Sequence, residues 1–265
     1  MDLQLKGKLA IVTGSTAGIG LAAATALARE GARVVVNGRT QQRIDAAIAE
    51  IRKQLGVAAE VSGVAADLAT ADGCKRLIAQ VPSAEILVNN MGIFEPKAFS
   101  AITDADWLRF FEANVLSGVR LSRHYLPGMI QANWGRIVFV SSESAVQIPA
   151  EMIHYGMTKT AQIAIARGLA ETTSGTGVTV NSVLPGPTNS EGVATFVGDL
   201  ARQRGVSLGE MEKDFFKTAR PSSLLQRFIT SEEVANLIAY VCSSASAATN
   251  GSALRVDGGV VRSAF

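Results

Sequence analysis

The chain has 265 residues, 48% hydrophobic and 18% charged, which excludes a disordered chain and allows a sizeable core. With 25 Lys and Arg against 23 Asp and Glu, the formal charge is +2, too balanced to point to nucleic acid or an anionic membrane as the main partner. Cys74 and Cys242 make neither a disulfide framework nor a metal spacing, and no apolar run approaches a membrane span of about 18 residues, so the expectations are a cytoplasmic chain, no metal and no membrane.

Short β-branched runs alternate with longer Ala- and Leu-rich segments along the chain. Strands are expected at Leu9–Thr13, Arg33–Asn37, Glu60–Ala65, Ile86–Asn89, Arg136–Ser141, Val178–Leu184 and Ala253–Val256. The first six are nearly continuous apolar runs, as strands covered on both faces must be. Helical patterns lie between them at Ile19–Glu30, Gln41–Leu55, Ala71–Gln80, Asp104–Ile130, His154–Thr172 and Glu232–Ser243, with Asp104 read as the cap of its helix. This alternation predicts an α/β fold with one doubly wound parallel sheet of about seven strands and helices on both faces. No linker or repeat interrupts it, so residues 1–265 read as a single domain.

Residues 185–230 break the rhythm. No strand candidate occurs there, and two weaker helical stretches fall near Glu191–Arg202 and Leu208–Thr218. Four of the ten phenylalanines sit in this segment: Phe196, Phe215, Phe216 and Phe228. It follows the carboxyl end of a strand, where ligands bind in such sheets, and is read as a substrate-binding lid. The alternative is a surface helical pair with a small core of its own.

The first strand runs into Thr13-Gly14-Ser15-Thr16-Ala17-Gly18-Ile19-Gly20, which opens a helix. Gly14 permits the tight turn, Gly18 lets backbone approach a pyrophosphate, and Gly20 allows close packing of the helix. The helix N-terminus offers free N–H groups and a partial positive charge. The end of the second strand, where an acidic residue would hold a ribose 2′-hydroxyl, is the neutral Asn37, followed by Arg39. That favours NADP(H), with Arg39 on the 2′-phosphate, and leaves NAD(H) possible. Asp67 and Leu68 after the third strand, and Asn90 and Gly92 after the fourth, fit a nucleotide pocket or simply a turn.

Tyr155 and Lys159 stand four apart on one helix face, and Ser142 ends the fifth strand thirteen residues earlier. A tyrosine ordinarily ionises near pH 10; a neighbouring ammonium would lower this and make Tyr155 an acid and base, while Ser142 holds the substrate oxygen. Ile93, Phe94, Glu95, Glu143, Val146 and Ile148, with Phe196, Phe215 and Phe216 from the lid, are candidates for the substrate pocket. His154 is read chiefly as a core residue.

The spaced glycines, the Asn-Asn-x-Gly turn, the Ser142–Tyr155–Lys159 spacing and Pro185-Gly186 together resemble the short-chain dehydrogenase/reductase family, over essentially the whole chain to Val256-Asp257-Gly258-Gly259. The resemblance implies a single-domain Rossmann fold and NAD(P)-dependent hydride transfer between a carbonyl and an alcohol. It implies that Tyr155 is the acid/base, that Lys159 lowers its pKa and binds the nicotinamide ribose, and that Ser142 orients the substrate. Asn114 would hold a relay water, and Pro185, Gly186 and Thr188 would lie near the nicotinamide. A homotetramer or homodimer built on the long helices is implied too. Two departures from 3-oxoacyl-carrier-protein reductases of this family are Met91, where alanine is common, and the longer lid. The enzyme is thus expected to be an NADP(H)-dependent carbonyl reductase acting on a small molecule. An NAD-linked alcohol dehydrogenase and a catalytically silent dinucleotide-binding regulator stand as alternatives.

Overall fold

Strand residues that alternate in direction bury both of their faces, which is why each run is apolar throughout. The computed structural model describes residues 2–264 and their side chains, except those of residues 194–197, 199, 200 and 203. In it β1 (Leu9–Val12), β2 (Arg33–Gly38), β3 (Val61–Ala65), β4 (Ile86–Asn89), β5 (Gly135–Val140), β6 (Val178–Pro185) and β9 (Ala253–Val256) form one parallel sheet in the order β3-β2-β1-β4-β5-β6-β9. On one face Ala10, Val12, Val34, Val36, Val88 and Val138 meet α1 (Gly18–Arg29), α2 (Gln41–Leu55) and α9 (Ser231–Val241) through Leu27, Ile44 and Ile238. On the other, Ile11, Val35, Leu87, Ile137 and Phe139 meet α3 (Ala71–Gln80), α5 (Ser117–Gln131) and α6 (Ile153–Glu171) through Leu77, Leu121, Met129 and Ala166. The strand order reverses between β1 and β4, and the site lies at the carboxyl ends there.

The expected helix Asp104–Ile130 is not regular. It divides into α4 (Asp104–Phe111), one π-helical turn over Glu112–Leu116, and α5. A π turn adds a residue to the helical path and frees backbone groups, and this one carries Asn114. Its cap is Thr103, one residue earlier than expected. The Thr103 hydroxyl accepts the Asp106 N–H and the Asp106 carboxylate accepts the Thr103 N–H, whereas Asp104 is already helical.

The 185–230 segment contains α7 (Glu191–Arg204) and α8 (Leu208–Thr218) but also, against expectation, two short strands. β7 (Thr188–Asn189) and β8 (Ile229–Thr230) pair in parallel and bring the two ends of the segment together. Two-residue strands have no room for a periodic signal. Met211 and Ala201 are buried against Val193 and Phe228, and the rings of Phe215, Phe216 and Phe228 stack with centroids 5.1 Å apart. The segment therefore has its own core.

His154, on α6 beside Tyr155, is a core residue: it is fully buried, with the Phe110 ring 4.0 Å away and Trp107 at 6.0 Å. Neither ring nitrogen has a partner among the described residues. Burial holds its pKa below the ordinary value of about 6.5, more strongly than the nearby Asp106 and Glu95 raise it, with Arg109 and Lys97 lowering it further. Below about pH 6.5 the unfolded chain takes up a proton that the folded chain refuses, so this contribution to stability is complete above that pH and shrinks as the pH falls. His154→Phe is expected to lose less of its urea midpoint than the parent between about pH 7.5 and about 5.5. Equal losses would refute the assignment.

Candidate active site

The glycine loop leaves β1 with Gly14 at φ +59° and Gly18 at φ +54°, backbone conformations that favour glycine. Gly20 is required by contact: a Cβ there would lie 2.4 Å from the Gly14 carbonyl oxygen and 2.5 Å from Asn90 Nδ2. Ala17 caps α1 without a side-chain bond and no acidic residue stands in the first turn, so its N–H groups are left open to an anion. Gly92 is a second cradle, since a Cβ would come 3.3 Å from Lys159 Nζ and 3.4 Å from Asn114 Oδ1. Both cradles suit a dinucleotide.

The side chains of several residues expected at the cofactor build the loop itself. Asn37 is buried; its Oδ1 accepts the Gly14 N–H at 3.2 Å and its Nδ2 donates to the Val64 and Ala66 carbonyls at 3.1 Å. Its side chain points under the loop. The Ser15 hydroxyl donates to the Val12 carbonyl and accepts the Asn37 N–H, and Ser15 is fully buried. Asn90 Nδ2 donates to the Thr13 and Gly14 carbonyls, and the Thr13 hydroxyl accepts the Asn90 and Met91 N–H groups. Asp67 caps its own turn at Ala69, Leu68 is buried in the core, and Met91 packs against the core as well. Thr16 packs on Gly38, whose Cβ would lie 2.5 Å from Thr16 Cγ2. Arg39 is exposed and makes no hydrogen bond among the described residues.

The end of β5 and the start of α6 bring Ser142 and Tyr155 onto one cavity of ≈ 420 Å³. Burial pushes the Tyr155 phenol well above its ordinary range; the Ser142 hydroxyl pulls it down, the Glu143 carboxylate raises it, and Arg220 lowers it. Lys159 Nζ lies 5.6 Å from the Tyr155 ring centroid, donates to the Val140 carbonyl at 2.9 Å and to Gln162 Oε1 at 3.2 Å, and is itself drawn down to about 7 by burial.

Asn114 is fully buried and its amide makes three hydrogen bonds. Oδ1 accepts the Ile93 N–H at 2.7 Å, and Nδ2 donates to the Ile93 carbonyl and to Thr158 Oγ1. Oδ1 keeps a second lone pair, so the side chain retains capacity for the expected water. Its carbonyl accepts Gln162 Nε2 at 2.6 Å, so Lys159, Gln162 and the Asn114 carbonyl are hydrogen-bonded in series.

Of the expected residues, Ile19, Glu143, Pro185, Gly186, Thr188 and Phe215 also line this cavity, with Phe94 and Phe228. Gly186 is additionally fixed by packing, because a Cβ would lie 2.4 Å from the Asp257 carbonyl oxygen. Ile93 and Glu95 do not line it. Ile93 is tied back to Asn114, and Glu95 pairs with Arg109 at 2.5 Å, so Phe94 between them takes the wall. Phe216 is buried inside the 185–230 segment, Val146 and Ile148 are half-exposed away from the cavity, and the Phe196 side chain lies outside the described residues. Sequence reasoning missed Gln162 and Arg220. Gln162 was findable, three residues beyond Lys159 on the same helical face. Arg220 was not, because only the fold carries it 77 residues back to Glu143.

Residues 8–199 match the family of short chain dehydrogenases. The chain is similar to an uncharacterized oxidoreductase of Bacillus subtilis, 48% identical over 100% of both chains. It is similar to the 3-oxoacyl-[acyl-carrier-protein] reductase of Aquifex aeolicus, 32% identical over 98% of this chain and 100% of that one. Among solved structures it is similar to the L-sorbose reductase of Gluconobacter frateurii complexed with NADPH and L-sorbose, with a TM-score of 0.92, 31% identity, and coverage of 99% and 100%.

Proposed function

The chain belongs to the short-chain dehydrogenase/reductase family and is an NAD(P)-dependent oxidoreductase, and from that premise we propose that it interconverts a ketone and a secondary alcohol with NADP(H). The observation that carries this reading is the convergence of Ser142, Tyr155 and the glycine-loop residue Ile19 on one cavity. The dinucleotide, when bound, supplies or accepts the hydride at the carbonyl carbon. Tyr155, kept protonated by burial, donates its proton to the carbonyl oxygen in reduction and takes it back in oxidation. Lys159, whose Nζ lies 5.6 Å from the Tyr155 ring centroid and which burial draws down to about 7, is the group that would return the proton to the phenol. Ser142 holds the substrate oxygen. Gly14, Thr16, Gly18 and Ile19 would hold the pyrophosphate end, Lys159 and Thr188 the nicotinamide end. Phe215 and Phe228 of the 185–230 segment line the cavity, which supports the reading of that segment as a substrate lid. Leu108 and Phe111, exposed on α4, support a homotetramer or homodimer through the long helices. A cytoplasmic setting belongs to the same reading.

The test is oxidation of NADPH by purified protein over a panel of ketones. Turnover of none of them would overturn the reading. The NADP preference rests on the unpaired Arg39 and is supported by the NADPH of the similar L-sorbose reductase. Arg39→Asp is expected to lower kcat/KM with NADPH by about tenfold to a hundredfold, the worth of a charge-assisted hydrogen bond, while leaving NADH equal or better. An unchanged NADPH preference would sink it.

A further inference from the structure

Glu143 is the feature that hydride transfer does not require. It follows Ser142, lines the cavity, and its side chain is only 4% exposed. Oε2 accepts the Ser142 hydroxyl at 2.7 Å and also the Ser144 hydroxyl. Oε1 accepts Arg220 Nε at 2.9 Å and, with two lone pairs, keeps capacity for one more donor. Arg220, reaching in from the 185–230 segment, donates through Nη1 to Glu151 at 3.2 Å and to the Ala219 carbonyl at 2.8 Å. Its Nη2 donates to nothing among the described residues. The planar guanidinium fork fixes that second group beside the Nε–H that holds Glu143.

Two consequences follow from this arrangement. Ser142 gives its proton to Glu143, so it can donate to a substrate oxygen only by turning away and leaving a buried carboxylate short of a hydrogen bond. Both arginines on the cavity wall are already paired, Arg220 with Glu143 and Glu151 and Arg204 with Asp214, so a carboxylate or phosphate on the substrate finds no free cation there. The group that suits the position is a neutral hydroxyl, which donates to a carboxylate and accepts from a guanidinium.

Resting on the reading of the chain as a ketone reductase, we propose that Glu143 and Arg220 form a hydroxyl subsite and that the substrate is an α-hydroxy ketone, reduced to a vicinal diol. The hydroxyl next to the carbonyl donates to Glu143 and accepts from Arg220 Nη2. It thereby replaces the Ser142 proton at the carboxylate and releases Ser142 to the carbonyl oxygen. The rest of the wall, including Phe94, Met152, Phe215 and Phe228, accommodates an apolar remainder.

The test compares 2-hydroxyacetophenone with 2-methoxyacetophenone, which polarises the carbonyl similarly but cannot donate, and with acetophenone, using NADPH. The parent enzyme is expected to favour the hydroxy ketone in kcat/KM by about tenfold to a hundredfold over both, the range for a hydrogen bond to a charged group. In Glu143→Gln that ratio should shrink toward unity. A role for Glu143 confined to folding or to holding the segment would lower all three rates alike and leave the ratio unmoved, which would overturn the proposal. So would a parent enzyme that reduces acetophenone as well as its hydroxy analogue; the hydride-transfer reading would then still stand. Oxidation of NADPH with none of the three would overturn both.

Discussion

Replacing Tyr155 by phenylalanine is expected to lower kcat by about 10²–10⁴-fold, the usual contribution of a positioned acid or base, while NADPH binding stays within about twofold. The phenylalanine ring keeps the aromatic contacts that hold this position: the edge of Phe94, 6.5 Å away, and the flank of Lys159. Only the hydroxyl is lost. The carboxylates on the cavity wall are already engaged, Glu143 by Arg220, Ser142 and Ser144, Glu151 by Arg220, and Asp214 by Arg204. The measurements are steady-state kinetics on the best ketone of the panel and a fluorescence titration with NADPH. A variant that keeps a tenth or more of the parental kcat would remove Tyr155 from the chemistry, and a variant that no longer binds NADPH would make its role structural.

The second large effect is expected at Gly20. A methyl group there would meet the Gly14 carbonyl oxygen at 2.4 Å, Asn90 Nδ2 at 2.5 Å and Ser15 Cα at 2.9 Å. All three belong to the network that shapes the loop, so none can withdraw without moving the anion-binding backbone. Gly20→Ala is expected to destabilise the fold by about 1–3 kcal/mol, as overpacking does, and to weaken NADPH at least about tenfold, a loss of about 1.4 kcal/mol. Gly128 on α5 is the control, because a Cβ there meets nothing within 4 Å. Gly128→Ala should be neutral or stabilising by about 0.5–1 kcal/mol. Urea midpoints and NADPH titrations on both variants decide it. Equal behaviour of the two would refute the packing argument.

The strands were legible because burial on both faces writes itself into every position: Val34, Val35 and Val36 are all buried, toward alternate sides. The glycines at 14 and 18 were legible because their backbone conformation admits few other residues. The direction of a polar side chain was less so. Asn37 and Asn90 stand at the places a nucleotide would touch, yet both turn inward to satisfy backbone groups that strand ends leave open. The π turn at Asn114 was hidden because a single-turn π bulge sits inside an otherwise α-helical pattern and has no residue signature of its own.

By itself the sequence determined the sheet, the cofactor loop and the types of residue that handle protons, since each is a local pattern of spacing. Only the tertiary structure decided the electrostatics of the site. Burial raises the Tyr155 phenol, and Arg220 reaches Ser142 through Glu143 across 77 residues of chain. The field at an atom is summed over everything folded around it, and no window along the chain contains that sum.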